Sequence, residues 1–400
     1  MGLESICIGI YDCPHSTPKL TLEGPYVART QDVITGLFRA DGAAHVSQET
    51  YKDRIKRAEP SYGDLLYSRE GTYFGIAAEV PSGVQVCLGQ RMVLIRPDAA
   101  HVDHRFLRYW LNSPVMSTHV HGQRDGSVAE RLNLPTIRAL PIPLPDAREQ
   151  RQIATVLGAL DDKIAVNERI AATARSLSRA KASGALSGVS GAIGLLGDHV
   201  EVTKGLSYRS TDLVPGGGHL VTLKCIDPTG AFKQSGLKPF SGVAKPAQIV
   251  KHGDVVVAHT DLTQRADVLG RSVRVVQLGG QDRLVASLDL AVVRPRGFLT
   301  PEYIDALFAS REFREHALSY ANGTTVLHLG SRAIPEFTFT VPGEETVAVV
   351  TRATHALFET AVQAGHEAVT LAALRDTLLP QLMSGRLRVK DAEKIVEDHT

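Results

Sequence analysis

The 400-residue sequence predicts an α/β (α+β) protein in which two mixed α/β globules, each followed by a long helix, repeat in pseudo-twofold order. Three observations carry this reading. Short apolar runs bounded by turn residues, such as Gly63–Ser68 and Met92–Ile95, have the length and setting of strands. Prolines 141, 143 and 145 hold the chain extended up to Asp146, which with Glu149 forms a capping box at the start of a long helical pattern. The third observation is internal repetition.

The first globule is expected over 1–145. Within it, Asp103–Leu111 reads as a helix because Phe106, Leu107, Trp110 and Leu111 share a face, and Leu132–Leu144 reads as extended. A spacer helix follows at 146–185, its helical pattern weakening near 183 in a Gly/Ser-rich run that places a linker at 186–193. The order then restarts. His252–Ala258 answers Tyr62–Tyr67, Val292–Pro295 answers Leu94–Pro97, Tyr303–Ser310 answers Leu107–Ser113, and Gly323–Thr325 answers Gly126–Val128. From Ile137 and Ile334 onward the offset locks at 197 positions, through Pro145 and Pro342, Leu160 and Leu357, Leu177 and Leu374, to Ser187 and Ser384. A gapless correspondence of this length implies duplication, with too few units for a solenoid. It places the second globule at 194–342, a C-terminal spacer helix at 343–387 and a frayed, charged tail at 388–400.

Both helices carry apolar or small residues at alternating spacings of four and three. In the first these are Ile153, Leu157, Leu160, Ile164, Asn167, Ala171, Ala174 and the Leu177–Ser178 step. In the second they are Val350, Thr354, Leu357, Ala361, Ala364, Ala368 and Leu371. Such a stripe is narrow and fits one partner helix, so the two helices are expected to pair antiparallel as a coiled coil. About 35 residues make a rod of roughly 50 Å. The small residues imply a close approach, and Asn167 is placed to fix register. The competing reading is two amphipathic helices, each packed on its own globule.

Composition narrows the function. A net charge of +1 gives no overall basic surface, so any contact with nucleic acid must rest on local charge. Four scattered cysteines argue against a disulfide framework, and neither a membrane-spanning run nor a secretory leader is evident, so a cytoplasmic setting is expected. The phosphate-binding Gly-rich loops, the amino-methyltransferase motif and the hydrolase nucleophile elbow are all missing from the sequence. His101/His104 and His119/His121 lack companion ligands at metal spacing, as do Cys7/Cys13.

Taken together, Leu140–Ala154 with Leu157–Ile164, Leu374–Leu387, Gly63–Gly71, Cys87–Arg91, Val257–Gln264 and Val285–Leu290 resemble the specificity subunit of type I restriction-modification systems, in order and over nearly the whole chain. The resemblance implies two target-recognition domains, each reading half of a split site in double-stranded DNA. It further implies helices that set the spacing and dock two methyltransferase subunits, with motor/nuclease subunits added for cleavage. No cofactor is implied in this chain; S-adenosylmethionine, ATP and magnesium belong to the partner subunits. The N-terminus starts abruptly compared with the lead-in Gly194–Gly205, which implies a shortened or differently closed first edge.

The polar stretches after the Gly-Asp strands differ between globules, Ser68–Tyr73 against His259–Arg265, which predicts unlike half-sites. Arg69 and Arg265 suit guanine or phosphate, Tyr73 suits sugar or base, and Gln264 suits adenine, with Thr260 and Thr263 beside it. A second group comprises Arg29 and Gln31, the corresponding Lys224, and Gln90 and Arg91. A third comprises Lys204, Ser207, Tyr208 and Arg209. Basic Lys52–Arg57 suits backbone phosphate or the wet face of a helix. The plain alternative for each is a solvated loop residue satisfying turn amides. A scaffold that binds only proteins, or an enzyme of another type, are the competing functions. Affinity for duplex DNA that falls steeply with salt separates a DNA reader from a scaffold.

Overall fold

The computed structural model describes residues 1–33, 36–40, 42–71, 73–123, 131–263, 265–279 and 283–398. Its contacts divide into two compact units, 1–165 with 369–400, and 166–368. Both boundaries fall inside long helices, so each unit contains a globule and a segment of each helix.

In the first unit, β1 (Cys7–Asp12), β2 (Leu20–Ala28), β3 (Ala44–Val46), α1 (Gln48–Arg54), β4 (Leu65–Ser68), β5 (Ala77–Glu79), β6 (Val86–Leu88), β7 (Met92–Pro97), α2 (His104–Leu111), α3 (Pro114–Gly122) and α4 (Leu134–Arg138) precede α5 (Ala147–Ser187). An antiparallel sheet of order β1-β7-β4-β5 faces a smaller sheet, β3-β2-β6, in which β2 and β6 run parallel. Both faces of the larger sheet are covered. Leu65, Tyr67, Val93 and Ile95 pack toward Phe106, Leu107 and Leu157, while Leu66, Met92 and Leu94 pack toward Ala28, Val86 and Leu88. Burial on both faces explains why the strands read as continuous apolar runs rather than alternating ones. Helix α2 forms where the sequence suggests, and Asp103 caps it, accepting from the amides of Arg105 and Phe106.

The second unit repeats this plan. Its elements are β8 (Ile193–Leu195), β9 (Val200–Lys204), β10 (His219–Val221), β11 (Lys238–Pro239), β12 (Ile249–Val250), β13 (Val255–Ala258), β14 (Thr260–Asp261), β15 (Ser272–Arg274), β16 (Leu284–Ala286), β17 (Leu290–Pro295), α6 (Pro301–Phe308), α7 (Arg311–Ser319), β18 (Ala321–Asn322), β19 (Leu327–Leu329), β20 (Thr338–Thr340) and the start of α8 (Glu344–Met383). The sheet β9-β17-β13-β15 matches β1-β7-β4-β5 strand for strand, and β10 runs parallel to β16 as β2 does to β6. Even the turn before the central strand recurs. Gly63 and Gly253 adopt φ of 91° and 86°, which favours glycine, and the next residues, Asp64 and Asp254, bind Arg96 and Arg294.

The helices pair antiparallel in both units. In the first, Ile153, Leu157 and Leu160 of α5 share a core with Leu371, Leu378 and Leu382 of α8. In the second, Ala171 and Ala174 pack with Leu357, Ala361 and Ala364. Val350, Ala368 and Asn167 are buried, and Ile164 is partly buried. Asn167 Nδ2 has no hydrogen-bond partner among the described residues. Leu177 is exposed, and the stripe continues instead through Ser178 and Ala182.

Four local expectations change. Helix α5 runs through the Gly/Ser segment to Ser187, because Ala182, Ala185 and Leu186 pack on the second core and hold the last turns helical. The segment 132–144 is not wholly extended. It contains α4, where Pro135 takes a first-turn position that needs no amide and Ile137 is buried. The C-terminal segment is not frayed: Val389–Glu397 forms α9, with Ala392 and Val396 in the first core. At the N-terminus, Leu3 donates to Leu140 and Ile142 to Met1, reproducing with three residues the edge that β8 makes with β20.

Equivalent positions use unlike chemistry to fix each globule to its helices. In the first unit Asp161 of α5 accepts from Arg108 at 2.9 Å, Tyr109 at 2.5 Å and Arg375 of α8 at 2.7 Å. In the second, 197 residues on, Phe358 stands where Asp161 was, and the guanidinium of Arg274 lies 3.7 Å from its ring centroid. Arg274 also meets Glu302 at 3.4 Å and Asp305, the counterpart of Arg108, at 3.6 Å. Asp161→Ala leaves the buried Arg108 without its counter-ion, so the urea midpoint should fall by the equivalent of about 3–5 kcal/mol. Ala364→Leu should overpack the seam and lower stability by about 1–3 kcal/mol, measured in the same way.

Candidate nucleic-acid interface

The loops after the central strands leave the sheets at a junction that both globules build from backbone hydrogen bonds. After β6 the chain crosses from the small sheet to the large one through Gly89-Gln90-Arg91, and Arg91 takes a φ of 70°. Gly89 donates to Ala28 at the end of β2, Arg69 beyond β4 donates to Arg91 at 2.9 Å, and Leu132 donates to Arg69 at 2.8 Å. In the second globule Ser287 donates to Val221, His259 donates to Asp289 at 2.7 Å, and Leu329 donates to His259 at 2.8 Å.

This frame aligns side chains residue by residue. Asp12 pairs with Val93 and Lys204 with Ala291, while Val93 and Ala291 pair with the equivalent Tyr67 and Val257. Lys204 therefore stands at the position of Asp12, His259 at Arg69, Thr260 at Glu70, Asp289 at Arg91, and His328 at Arg131, the last two facing Thr260 and Glu70 across a bridge. The same alignment puts Lys224 opposite Gln31, three residues past β10 and β2, as the sequence suggests. The two sets of polar groups differ at every one of these positions.

In the first globule the set is internally paired. Asp12 Oδ1 accepts from Arg69 at 2.8 Å, Arg91 meets Glu70 at 3.4 Å, and Arg29 is bidentate on Asp32 at 2.9 and 3.0 Å. Gln90 donates to the His15 carbonyl. Gln31 and Tyr73 are exposed at the same rim. Arg54 of the basic cluster is buried and donates to the carbonyls of Leu88, Ser16 and Pro14, so it ties chain segments together, while Lys52, Lys56 and Arg57 face solvent.

In the second globule Lys204, Ser207, Arg209, Lys224 and Arg265 are exposed, and Tyr208 packs beside Phe240. Arg209 repeats the local turn of Arg29, its amide donating to Asp212 as that of Arg29 does to Asp32. The loop is organised by Asp261, a buried residue that sequence reading passed over. Its carboxylate accepts from the Thr263 amide and hydroxyl and from the amides of Val268 and Leu269. Thr260 donates to Asp289 at 3.0 Å, so both threonines are committed within the fold. Gln264, and the Gly126-Ser127 step expected to recur as Gly323-Thr324, lie outside the described residues.

Sequence reading also passed over Asp12 and His328, and gave His259 no role beyond opening its polar stretch. Only the strand register reveals them, since they come from distant segments. Burial, then the charges of Lys204 and His328, lower the pKa of His259 below its ordinary value. Elsewhere, burial pushes the Cys7 thiol up to about 12 and those of Cys87 and Cys225 up to about 11, which suits packing rather than nucleophilic work. The histidines considered for metal are engaged singly, His101 with Asp98, His104 with Glu79 and His121 with the Ser117 carbonyl. Among the described residues no helix is long and apolar enough to cross a membrane.

Residues 27–174 match the family described as the type I restriction modification DNA specificity domain. The whole fold resembles the crystal structure of the type I restriction-modification system S subunit from M. genitalium. That match has 14% identity and a TM-score of 0.61, and it covers 96% of this chain and 95% of the other. Similarity also extends to the HsdS subunit from Thermoanaerobacter tengcongensis, with 16% identity, coverage of 97% and 96%, and a TM-score of 0.37. A chain from a structure of complex assembly and conformational transition of the type I R-M system is 15% identical, with 97% of each chain covered and a TM-score of 0.43. No curated protein matches the chain.

For Asp261, burial raises the carboxyl pKa, but its hydrogen bonds outweigh burial and hold it below the usual carboxylate range. The stability it contributes is therefore present above pH ~4, the unfolded value, and is lost as pH falls through the lower folded value. Asp261→Ala should cost about 2–3 kcal/mol at pH 7 and flatten the acid limb below pH ~4, as read by urea unfolding across pH.

Proposed function

We propose that this chain is the DNA-reading subunit of a type I restriction-modification system, since residues 27–174 match the DNA specificity domain of that family and the fold resembles that of an S subunit. Each globule reads one half of a bipartite, asymmetric site. The observation that carries this is the repeated backbone junction bearing two unlike sets of polar groups, Asp12/Arg69/Glu70/Arg91 in one globule and Lys204/His259/Thr260/Asp289 in the other. Identical frames present their rims alike, so a difference in side chains becomes a difference in sequence read.

In this proposal Tyr73, Gln31 and Arg91 of the first globule meet the duplex, together with Lys204, Arg209, Lys224, Gln264 and Arg265 of the second. Arg69, Arg29, Gln90, Thr260 and Thr263 shape the rim through their internal partners, and Arg69 reaches DNA only if Asp12 releases it. The paired helices set the separation of the half-sites, which face one side of the duplex when about one helical turn (roughly 34 Å) apart. They also dock methyltransferase subunits. The chain itself is non-catalytic: adenine methylation from S-adenosylmethionine lies on those subunits, and ATP- and magnesium-dependent cleavage on motor subunits.

Co-expression with the neighbouring methyltransferase and mapping of methylated adenines should yield a split motif with two unequal halves. Exchange of residues 194–342 for another globule of the family should then change one half and leave the other intact. A short continuous motif, or both halves changing together, would overturn the assignment.

A further inference from the structure

At the loop junction of the first globule the cationic Arg69 is closed off by Asp12 at 2.8 Å. The second globule inverts this position. Lys204 replaces the carboxylate at the end of β9, and His259 replaces the arginine. His328 enters from β19, whose ladder pairs it with Thr260, the neighbour of His259. Lys204 and His328 are exposed, while His259 is half-buried. The other charged groups nearby are already engaged: Asp289 accepts the Thr260 hydroxyl, and Asp261 accepts the loop amides. The result is three nitrogen-bearing side chains from three segments, Lys204 and His328 being close enough to act on the charge of His259, with the neighbouring carboxylate of Asp289 held on the Thr260 hydroxyl.

We propose that Lys204, His259 and His328 form a proton-linked grip for a backbone phosphate of the DNA, present in the second globule and absent from the first. The inference rests on the DNA-reading proposal and deepens it. Lys204 supplies a fixed positive charge. The two imidazoles supply donors, and without an anion burial, then the charges of Lys204 and His328, oppose protonation of His259. A phosphate offsets the positive charge around His259, raises its pKa and draws a proton onto the site as it binds. Binding through the second globule therefore strengthens as pH falls, by up to about tenfold per pH unit where one proton is taken up. The equivalent Asp12–Arg69 pair of the first globule contains no imidazole.

The test uses the full chain and a fluorescein-labelled duplex of mixed sequence, followed by anisotropy between pH 5.5 and 7.5 over a series of salt concentrations. The wild type should bind more tightly at low pH. The double variant His259→Asn/His328→Asn should lose most of that gain, and His328→Asn alone, at an exposed position that spares the fold, should lose part of it. Lys204→Gln should make the slope of log K against log salt shallower by about one. Wild-type binding whose pH profile is unchanged in the histidine variants would overturn the grip while leaving DNA reading intact. Inorganic phosphate that binds the wild type but not the variants, with DNA affinity equal in all of them, would assign the cluster to a free anion and likewise overturn it. Failure of every form, wild type included, to bind duplex at any salt would strike the DNA-reading proposal itself.

Discussion

The structure depends on a backbone junction that owes nothing to the side chains it displays. Amides beyond the central strands, Arg69 and His259, donate into the crossover turns at Arg91 and Asp289, and their own carbonyls accept from Leu132 and Leu329. Buried amides must be paired wherever they occur, so this geometry persists whatever the residues are. Side chains at the rim are then at liberty to diverge. A carboxylate–guanidinium pair in one globule and a lysine–histidine cluster in the other occupy one framework, and a recognition protein needs such a separation of scaffold from readout.

The same logic governs attachment of the globules to the helices. Asp161 gathers Arg108, Tyr109 and Arg375, whereas Arg274 lies over Phe358 with Glu302 and Asp305 beside it. Both arrangements bury an arginine against helical segments, yet the charges have exchanged elements. What the fold requires there is a neutralised guanidinium, and more than one residue set supplies it. Where neither globule intervenes, Ala171, Ala174, Ala361 and Ala364 let the two backbones approach directly.

The duplication, the long helices and their seam were legible because they are periodic: a constant offset and a four-three spacing survive without knowledge of the fold. The exit of Leu177 from the seam and the helical Gly/Ser segment up to Ser187 were not, since both depend on where the second core lies. At the site, residue type pointed to Arg69, Arg29 and Thr263 as contacts, but type says nothing of a partner. Asp12 lies 57 positions before Arg69, and the two meet only through the register of β1 on β7.

By itself the sequence determined the class of the protein: short apolar strand runs, two long helices with a four-three stripe and a repeated order, all encoded by local pattern. The tertiary structure alone decided which polar groups are already satisfied and which remain at the rim. That distinction arises from strand register and crossover geometry, which bring Lys204 and His328, from distant segments, close enough to His259 to act on its charge. No window of sequence contains them together.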